Sequence, residues 1–98
     1  MIVAKENDVV EGKPFCSVFN GKKIALFKIE KAYYALENTC THMGGPLCKG
    51  TLNEEVVTCP LHGSKFNVKT GSVIGGPAIK PVKRYEVRVV GQDIEITQ

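Results

Sequence analysis

Tryptophan is absent from this chain of 98 residues, and histidine occurs only twice. So few histidines leave none to act as a general base once both have another task. No glycine-rich dinucleotide fingerprint is present, so the chain does not bind a nicotinamide or flavin dinucleotide in the usual way. No apolar run approaches the ~20 residues of a membrane-spanning helix. Met1-Ile2-Val3-Ala4-Lys5-Glu6 lacks the apolar run of a signal peptide. With Met1 as the native start, the expectation is a soluble, cytoplasmic protein with no membrane anchor. No segment keeps a helical apolar period, no repeat or low-complexity tract appears, and nothing divides the chain into more than one domain. Aromatic stacking patterns and recognised nucleic-acid modules are also missing, which excludes nucleic acid as the expected partner.

What is present is concentrated. Both histidines stand beside cysteines, in Cys40-Thr41-His42 and in Cys59-Pro60-Leu61-His62. Thiolate and imidazole at such spacings are metal-ligand chemistry. Two sites fit two cysteines and two histidines. One is a tetrahedral structural zinc. The other is a [2Fe–2S] cluster in which two histidines replace two cysteines on one iron. Structural zinc sites usually pair Cys with Cys and His with His. Here each stretch is mixed, with Cys first and His second, which suits a two-iron cluster held between two loops.

The stretches Cys40-Thr41-His42-Met43-Gly44-Gly45-Pro46-Leu47 and Cys59-Pro60-Leu61-His62-Gly63-Ser64-Lys65-Phe66 resemble the two cluster-binding loops of Rieske proteins. Thr70-Gly71 and Gly75-Gly76-Pro77-Ala78 resemble the turns that follow them. The resemblance covers most of the chain. It implies one [2Fe–2S] cluster per chain, with Cys40 and Cys59 on the inner iron and His42 and His62 on the outer one. It also implies a proline loop, at Pro77, covering the cluster from the side. Potentials of the class run from about −150 to +300 mV.

High-potential Rieske proteins tie their two loops with a disulfide. The matching positions here are Gly45 and Leu61, so that bridge cannot form. Ser64 stands where those proteins have a hydrogen-bonding serine, and Phe66 where they have a tyrosine. One missing donor makes added negative charge less stable, so the chain resembles the low-potential, oxygenase-ferredoxin-like branch. The remaining cysteines, Cys16 and Cys48, are expected as free thiols, buried or half-buried. A disulfide between them is the minor alternative for a reducing compartment.

Along the chain, short strands alternate with turns. Ile2-Val3-Ala4, Phe15 to Asn20, Ile24 to Ile29 and Tyr33 to Leu36 read as strands, with Asn20-Gly21 as a hairpin turn. Asn38 to Gly50 is the first cluster loop. Glu55 to Thr58, Lys65 to Val68 and Ser72 to Ile74 read as further short strands. Val82 to Val90 alternates, with Tyr85, Val87 and Val89 on one face, and Ile94 and Ile96 point inward after a turn at Gly91-Gln92. The expected fold is all-β, the Rieske iron–sulfur fold. It is a small antiparallel sandwich or partly open barrel, residues 1–98, with a cluster-binding subdomain inserted at 38–66.

The resemblance implies a one-electron carrier and no enzyme activity of its own. Its partners would be a flavin-dependent reductase and a terminal oxygenase or other redox enzyme. Two alternatives stand beside this: a permanent small subunit of a larger redox complex, like nitrite reductase small subunits, and a structural zinc module. Met43, Pro46 and Leu47 are expected to form an apolar docking tip beside the histidines, with Lys65 nearby. The formal net charge is +3. Lys65, Lys69, Lys80, Lys83 and Arg84 fall in a stretch, Val56 to Tyr85, that contains no acidic residue. An acidic docking surface on the partner is the corresponding expectation.

Overall fold

Short strands joined by tight turns build the molecule, and a computed structural model describes residues 1–42 and 44–97. The strands are β1 (Ile2–Lys5), β2 (Phe15–Phe19), β3 (Lys22–Ile29), β4 (Ala32–Glu37), β5 (Thr51–Asn53), β6 (Val56–Thr58), β7 (Lys65–Asn67), β8 (Val73–Gly75), β9 (Arg84–Tyr85), β10 (Val87–Val90) and β11 (Asp93–Ile96). Among the described residues the only helical turns are short 3₁₀ turns at Glu6–Asp8 and Leu47–Lys49.

The central sheet has the order β2-β3-β4-β9. Its first hairpin closes at Asn20-Gly21, where both residues take positive φ (51° and 77°). That geometry suits a two-residue turn between right-twisted strands. β3 is apolar on both faces because it is covered on both. Ile24 and Leu26 face one core, with Phe19, Ala35, Tyr85, Ile94 and Ile96. Ala25, Phe27 and Ile29 face a second core, with Leu36, Leu47, Val57, Phe66 and Val68. The first core lies toward the sheet β1-β11-β10, and the second toward the sheet β5-β6-β7-β8. The expected sandwich is thus a central sheet with a core on each face.

Three sequence expectations change here. Val82–Val90 is not one strand. It breaks at Glu86, so that β9 pairs with β4 while β10 pairs with β11. Tyr85 is buried in the central sheet, and Val89 is exposed at the edge of the outer one. A strand at Thr51–Asn53 was not expected. It forms a hairpin with β6 through Glu54-Glu55, with Glu54 at φ 56° where Gly or Asn would be usual. The sheet carrying the second cysteine–histidine stretch continues to Gly75, past the expected limit at 66.

Candidate metal centre

The two stretches form two loops of similar construction. Each closes on itself through the backbone of its cysteine. The Cys40 N–H donates to the Gly45 carbonyl (2.9 Å), and the Cys59 N–H donates to the Ser64 carbonyl (2.7 Å). Both loops therefore close five residues past the cysteine. The histidines do not share an offset: His42 is two residues on, and His62 is three. The extra residue is accommodated by left-handed backbone at His62 (φ 68°) and Gly63 (φ 75°). Positive φ at a non-glycine residue carries a conformational cost and persists only where its surroundings fix it.

The four side chains separate into two layers. Cys40 and Cys59 are buried, at 1% and 2% exposure, and are not in disulfides. His42 and His62 are exposed, with ring centroids 5.4 Å apart and planes at 89°. Burial pushes the Cys59 thiol up from its ordinary pKa; the Leu61 backbone N–H opposes this and the neighbouring Cys40 reinforces it. Metal binding at such a thiol displaces its proton, so burial of Cys59 makes its ionisation depend on the metal.

This layering tests the two metal chemistries. A structural zinc needs four ligands directed at one ion. Among the described residues no group of three His, Cys, Asp or Glu side chains is arranged to hold one metal ion. A pair of inner thiols and a pair of outer imidazoles instead fit two irons, one liganded by cysteine and the other by histidine. Gly45 adds a steric condition. A Cβ there would lie 2.6 Å from Cys59 Sγ and 3.2 Å from Leu61 Cβ. The first loop can approach the second cysteine only as glycine.

A third loop, after β8, holds both. The Thr41 hydroxyl donates to the Lys80 carbonyl (2.7 Å), and the Ala78 N–H donates to Ser64 Oγ (3.0 Å). Gly76 packs so close that a Cβ would meet Ser64 Cα at 2.6 Å. Within this loop Pro77 is itself exposed, and Ala78 is the residue buried in the core with Cys40 and Cys59. Ser64 is fully buried. Its oxygen accepts from Ala78, so its single hydroxyl hydrogen is left to donate elsewhere. Phe66 is buried on β7 opposite Val57 and offers no hydroxyl.

The apolar tip differs from expectation. Leu47 is not on it: the side chain is fully buried in the core. The chain turns inward after Pro46, where the Leu47 N–H donates to the Asn38 carbonyl (2.8 Å). Pro46 is half-buried, Lys65 is exposed, and Met43 lies outside the described residues. Two other apolar residues of these loops are exposed. They are Leu61, adjacent to His62, and Ile79 in the third loop, 46% and 88% exposed. Leu61 was legible as the residue before a ligand candidate; Ile79 carried no motif.

The basic stretch is also partly neutralised. Lys69 pairs with Glu55 (3.7 Å) and Arg84 with Glu86 (2.8 Å). These acids flank the stretch in sequence. Lys83 lies over the Tyr85 ring, 4.9 Å from its centroid. Lys65 and Lys80 remain exposed near the loops.

Cys16 and Cys48 are not free thiols. They form a disulfide between β2 and the 3₁₀ turn of the first loop. The pairing was the minor alternative because a reducing compartment disfavours it; the contact forms where the loop folds back against the edge of the central sheet.

Comparison with known proteins agrees with the geometry. A family profile described as Rieske [2Fe-2S] domain matches residues 1–86. The chain is similar to the ferredoxin component of the naphthalene 1,2-dioxygenase/salicylate 5-hydroxylase systems of Ralstonia sp. The two are 37% identical over 83 residues, which cover 85% of this chain and 80% of that one. Among solved structures, the ferredoxin of carbazole 1,9a-dioxygenase from Nocardioides aromaticivorans IC177 superimposes with a TM-score of 0.93. It is 30% identical, over 98% of this chain and 94% of that one. A chain from a complex of reduced oxygenase and oxidised ferredoxin in carbazole 1,9a-dioxygenase gives a TM-score of 0.91 at 31% identity. That match covers 99% of this chain and all of the other.

Proposed function

The chain belongs to the Rieske [2Fe–2S] family, and on that premise we propose that Cys40, His42, Cys59 and His62 ligate its cluster. It is a one-electron carrier with one [2Fe–2S] cluster, and not a catalyst on its own. In our reading Cys40 and Cys59 hold the inner iron and His42 and His62 the outer one. The observation that carries this is the burial of both cysteines under two exposed histidines. When bound, the cluster supplies one reversible electron.

The surrounding residues shape that exchange. Buried Cys40 and Cys59, with Ala78 and Phe66, keep water from the inner side. Ser64 retains one hydroxyl hydrogen that would be available to a bound cluster, and Phe66 has none to offer. We assign the low-potential setting to that missing donor. The histidine edges are the exit for the electron. The docking tip is Pro46, Leu61 and Ile79, with Lys65 and Lys80 around it. Small, largely apolar contacts suit brief redox encounters.

The electron comes from a reductase of the flavin-dependent class and goes to a terminal oxygenase, in the cytoplasm. Among the described residues no helix is long and apolar enough to cross a membrane.

The test is anaerobic reduction of the purified protein, followed by visible absorbance and EPR. The expected result is reversible bleaching by one electron per chain, with a rhombic signal averaging near g ~1.9 from mixed Cys/His ligation. His42→Ala and His62→Ala should lose that signal while keeping the fold. Unchanged spectra in both variants sink the ligand assignment. Reduction of a partner oxygenase should slow with salt if Lys65 and Lys80 steer it. A rate that is flat with salt removes the charge-steered docking.

A further inference from the structure

The Cys16–Cys48 bridge occupies an unusual place. Cys16 lies on β2, the edge of the central sheet, and is exposed. Cys48 belongs to the first ligand loop and is only 8% exposed. The bond is a strap between the edge strand of the central sheet and the loop that carries Cys40 and His42. It forms part of the wall of two surface grooves, of about 380 and 400 Å³. Lys23 and Lys49 line one groove, and Lys13 and Lys49 line the other. Neither groove is lined by Asp or Glu. None of these lysines pairs with a carboxylate among the described residues.

We propose that this bridge is a thiol-exchange site for a small anionic thiol of the glutathione class, and that opening it loosens the grip of the first loop on the cluster. The second half of the proposal rests on the ligand reading above. A thiolate attacks Cys16 Sγ, the sulfur on the exposed residue. The Cys16–Cys48 bond breaks as the mixed disulfide forms, and Cys48 leaves as a thiolate and takes a proton from solvent. A second small thiolate then attacks the mixed disulfide. It releases the oxidised small disulfide and leaves Cys16 reduced. Two small thiols are oxidised and one protein disulfide is reduced. The ammonium groups of Lys13, Lys23 and Lys49 concentrate an anionic reagent and favour the thiolate. Exposed disulfides are the labile class, and in a reducing compartment a persistent bridge is the exception.

The loop need not unfold when the bridge opens. Asn38 Oδ1 accepts from the Cys48 N–H (2.7 Å), the Asn38 carbonyl accepts from the Leu47 N–H (2.8 Å), and Leu47 is buried. These contacts keep the 3₁₀ turn in place without the covalent strap. What is lost is the constraint on its excursions, which bears on how readily the loop opens to a competing chelator.

The experiment uses the cluster-loaded protein, held anaerobically in glutathione buffers from fully oxidised to fully reduced. Samples are quenched by alkylation and mapped by peptide mass. Cys16 and Cys48 should become alkylated together as the buffer is made more reducing. Cys40 and Cys59 should stay unmodified while the visible absorbance persists. A Cys48→Ser variant should accumulate glutathione on Cys16. Lys49→Glu should slow exchange with glutathione several-fold and leave exchange with neutral mercaptoethanol almost unchanged. With the bridge open, an iron chelator should bleach the protein several-fold faster.

A bridge that survives millimolar reduced glutathione overturns the exchange site. So does a bridge that opens only together with alkylation of Cys40 and Cys59, which would mean unfolding. Equal bleaching rates with the bridge open and closed overturn the link to the cluster. If Cys40 and Cys59 are alkylated from the outset in protein that keeps its iron and its visible absorbance, the ligand assignment has failed. Exchange at Cys16–Cys48 is still read independently in the same map.

Discussion

Gly45 faces Leu61 across the gap between the two ligand loops, with a contact that admits no side chain on the glycine. A Cβ on Gly45 would stand 3.2 Å from Leu61 Cβ and 2.6 Å from Cys59 Sγ. Interiors packed this closely do not absorb an added methyl without displacement. The atom that must move is the sulfur of a proposed ligand. Gly45→Ala should therefore yield a folded protein with a substantial loss of iron per chain. Iron analysis beside far-ultraviolet circular dichroism checks it; full iron loading in the variant contradicts the close approach.

Leu47 tests the difference between docking and packing. The side chain is fully buried with Phe27, Val57 and Phe66. Leu47→Asp removes that packing and leaves a carboxylate without water, costing about 4 kcal/mol or more. Denaturant unfolding should show the loss directly. Leu61→Asp, at an exposed position, should leave stability nearly unchanged and slow electron delivery to the oxygenase. The reverse pattern would return Leu47 to the surface.

Tyr85 carries a buried hydroxyl with no hydrogen-bond partner among the described residues. Leaving a polar group so costs about 1–3 kcal/mol. Tyr85→Phe should accordingly raise stability, by about 1 kcal/mol after small packing losses. The pH dependence has a definite sign. Burial, reinforced by the charge of Glu37, pushes the Tyr85 pKa above its usual value near 10. The folded state thus keeps its proton at pH values where the unfolded chain releases it. This contribution to stability is intact below the unfolded pKa and declines as pH rises toward the folded one. Alkaline unfolding curves of the two proteins should show a shallower decline for Tyr85→Phe.

Ser64 accepts from the Ala78 N–H and retains one hydrogen to donate. Ser64→Ala should lower the reduction potential by roughly 60 to 130 mV, the equivalent of losing a hydrogen bond to a charged group. It also leaves the Ala78 N–H without its acceptor, so some loss of stability should accompany the shift. Protein-film voltammetry measures the first and thermal unfolding the second. A potential unchanged by the substitution would mean that the hydroxyl points away from the cluster.

The parts of this structure that were legible in sequence are those where chemistry narrows the choice of residue. Few side chains bind iron, so Cys40, His42, Cys59 and His62 stood out as candidates, and the fold brings their two stretches together as paired loops. Asn20-Gly21 stood out because few residues tolerate its backbone angles. The parts that were not legible depend on which way the chain turns. Leu47 reads the same whether it points outward or into the core. The alternation of Tyr85, Val87 and Val89 continues across the break at Glu86, so periodicity gave no sign that the strand changes sheets. The Thr51–Asn53 strand was hidden by polar residues and by a turn built on Glu54 rather than glycine. Cys16 and Cys48 were open to pairing as the two cysteines left over, and the expected reducing compartment argued against the bond that the fold forms. Lys69 and Arg84 looked like free charge because their partners, Glu55 and Glu86, sit just outside the basic stretch.

The third loop holds one ligand loop through the Lys80 carbonyl and the other through the Ala78 N–H. A carrier that gains and loses one electron is slowed by every atom that must shift between its two charge states. Donors and acceptors already fixed in position do not have to be recruited at the moment of transfer. By fastening Thr41 and Ser64 to one short segment, the fold would limit the reorganisation that accompanies an electron exchange at the proposed site. The same fastening leaves the exposed histidine edges uncovered, because the contacts that hold the two loops come from behind them.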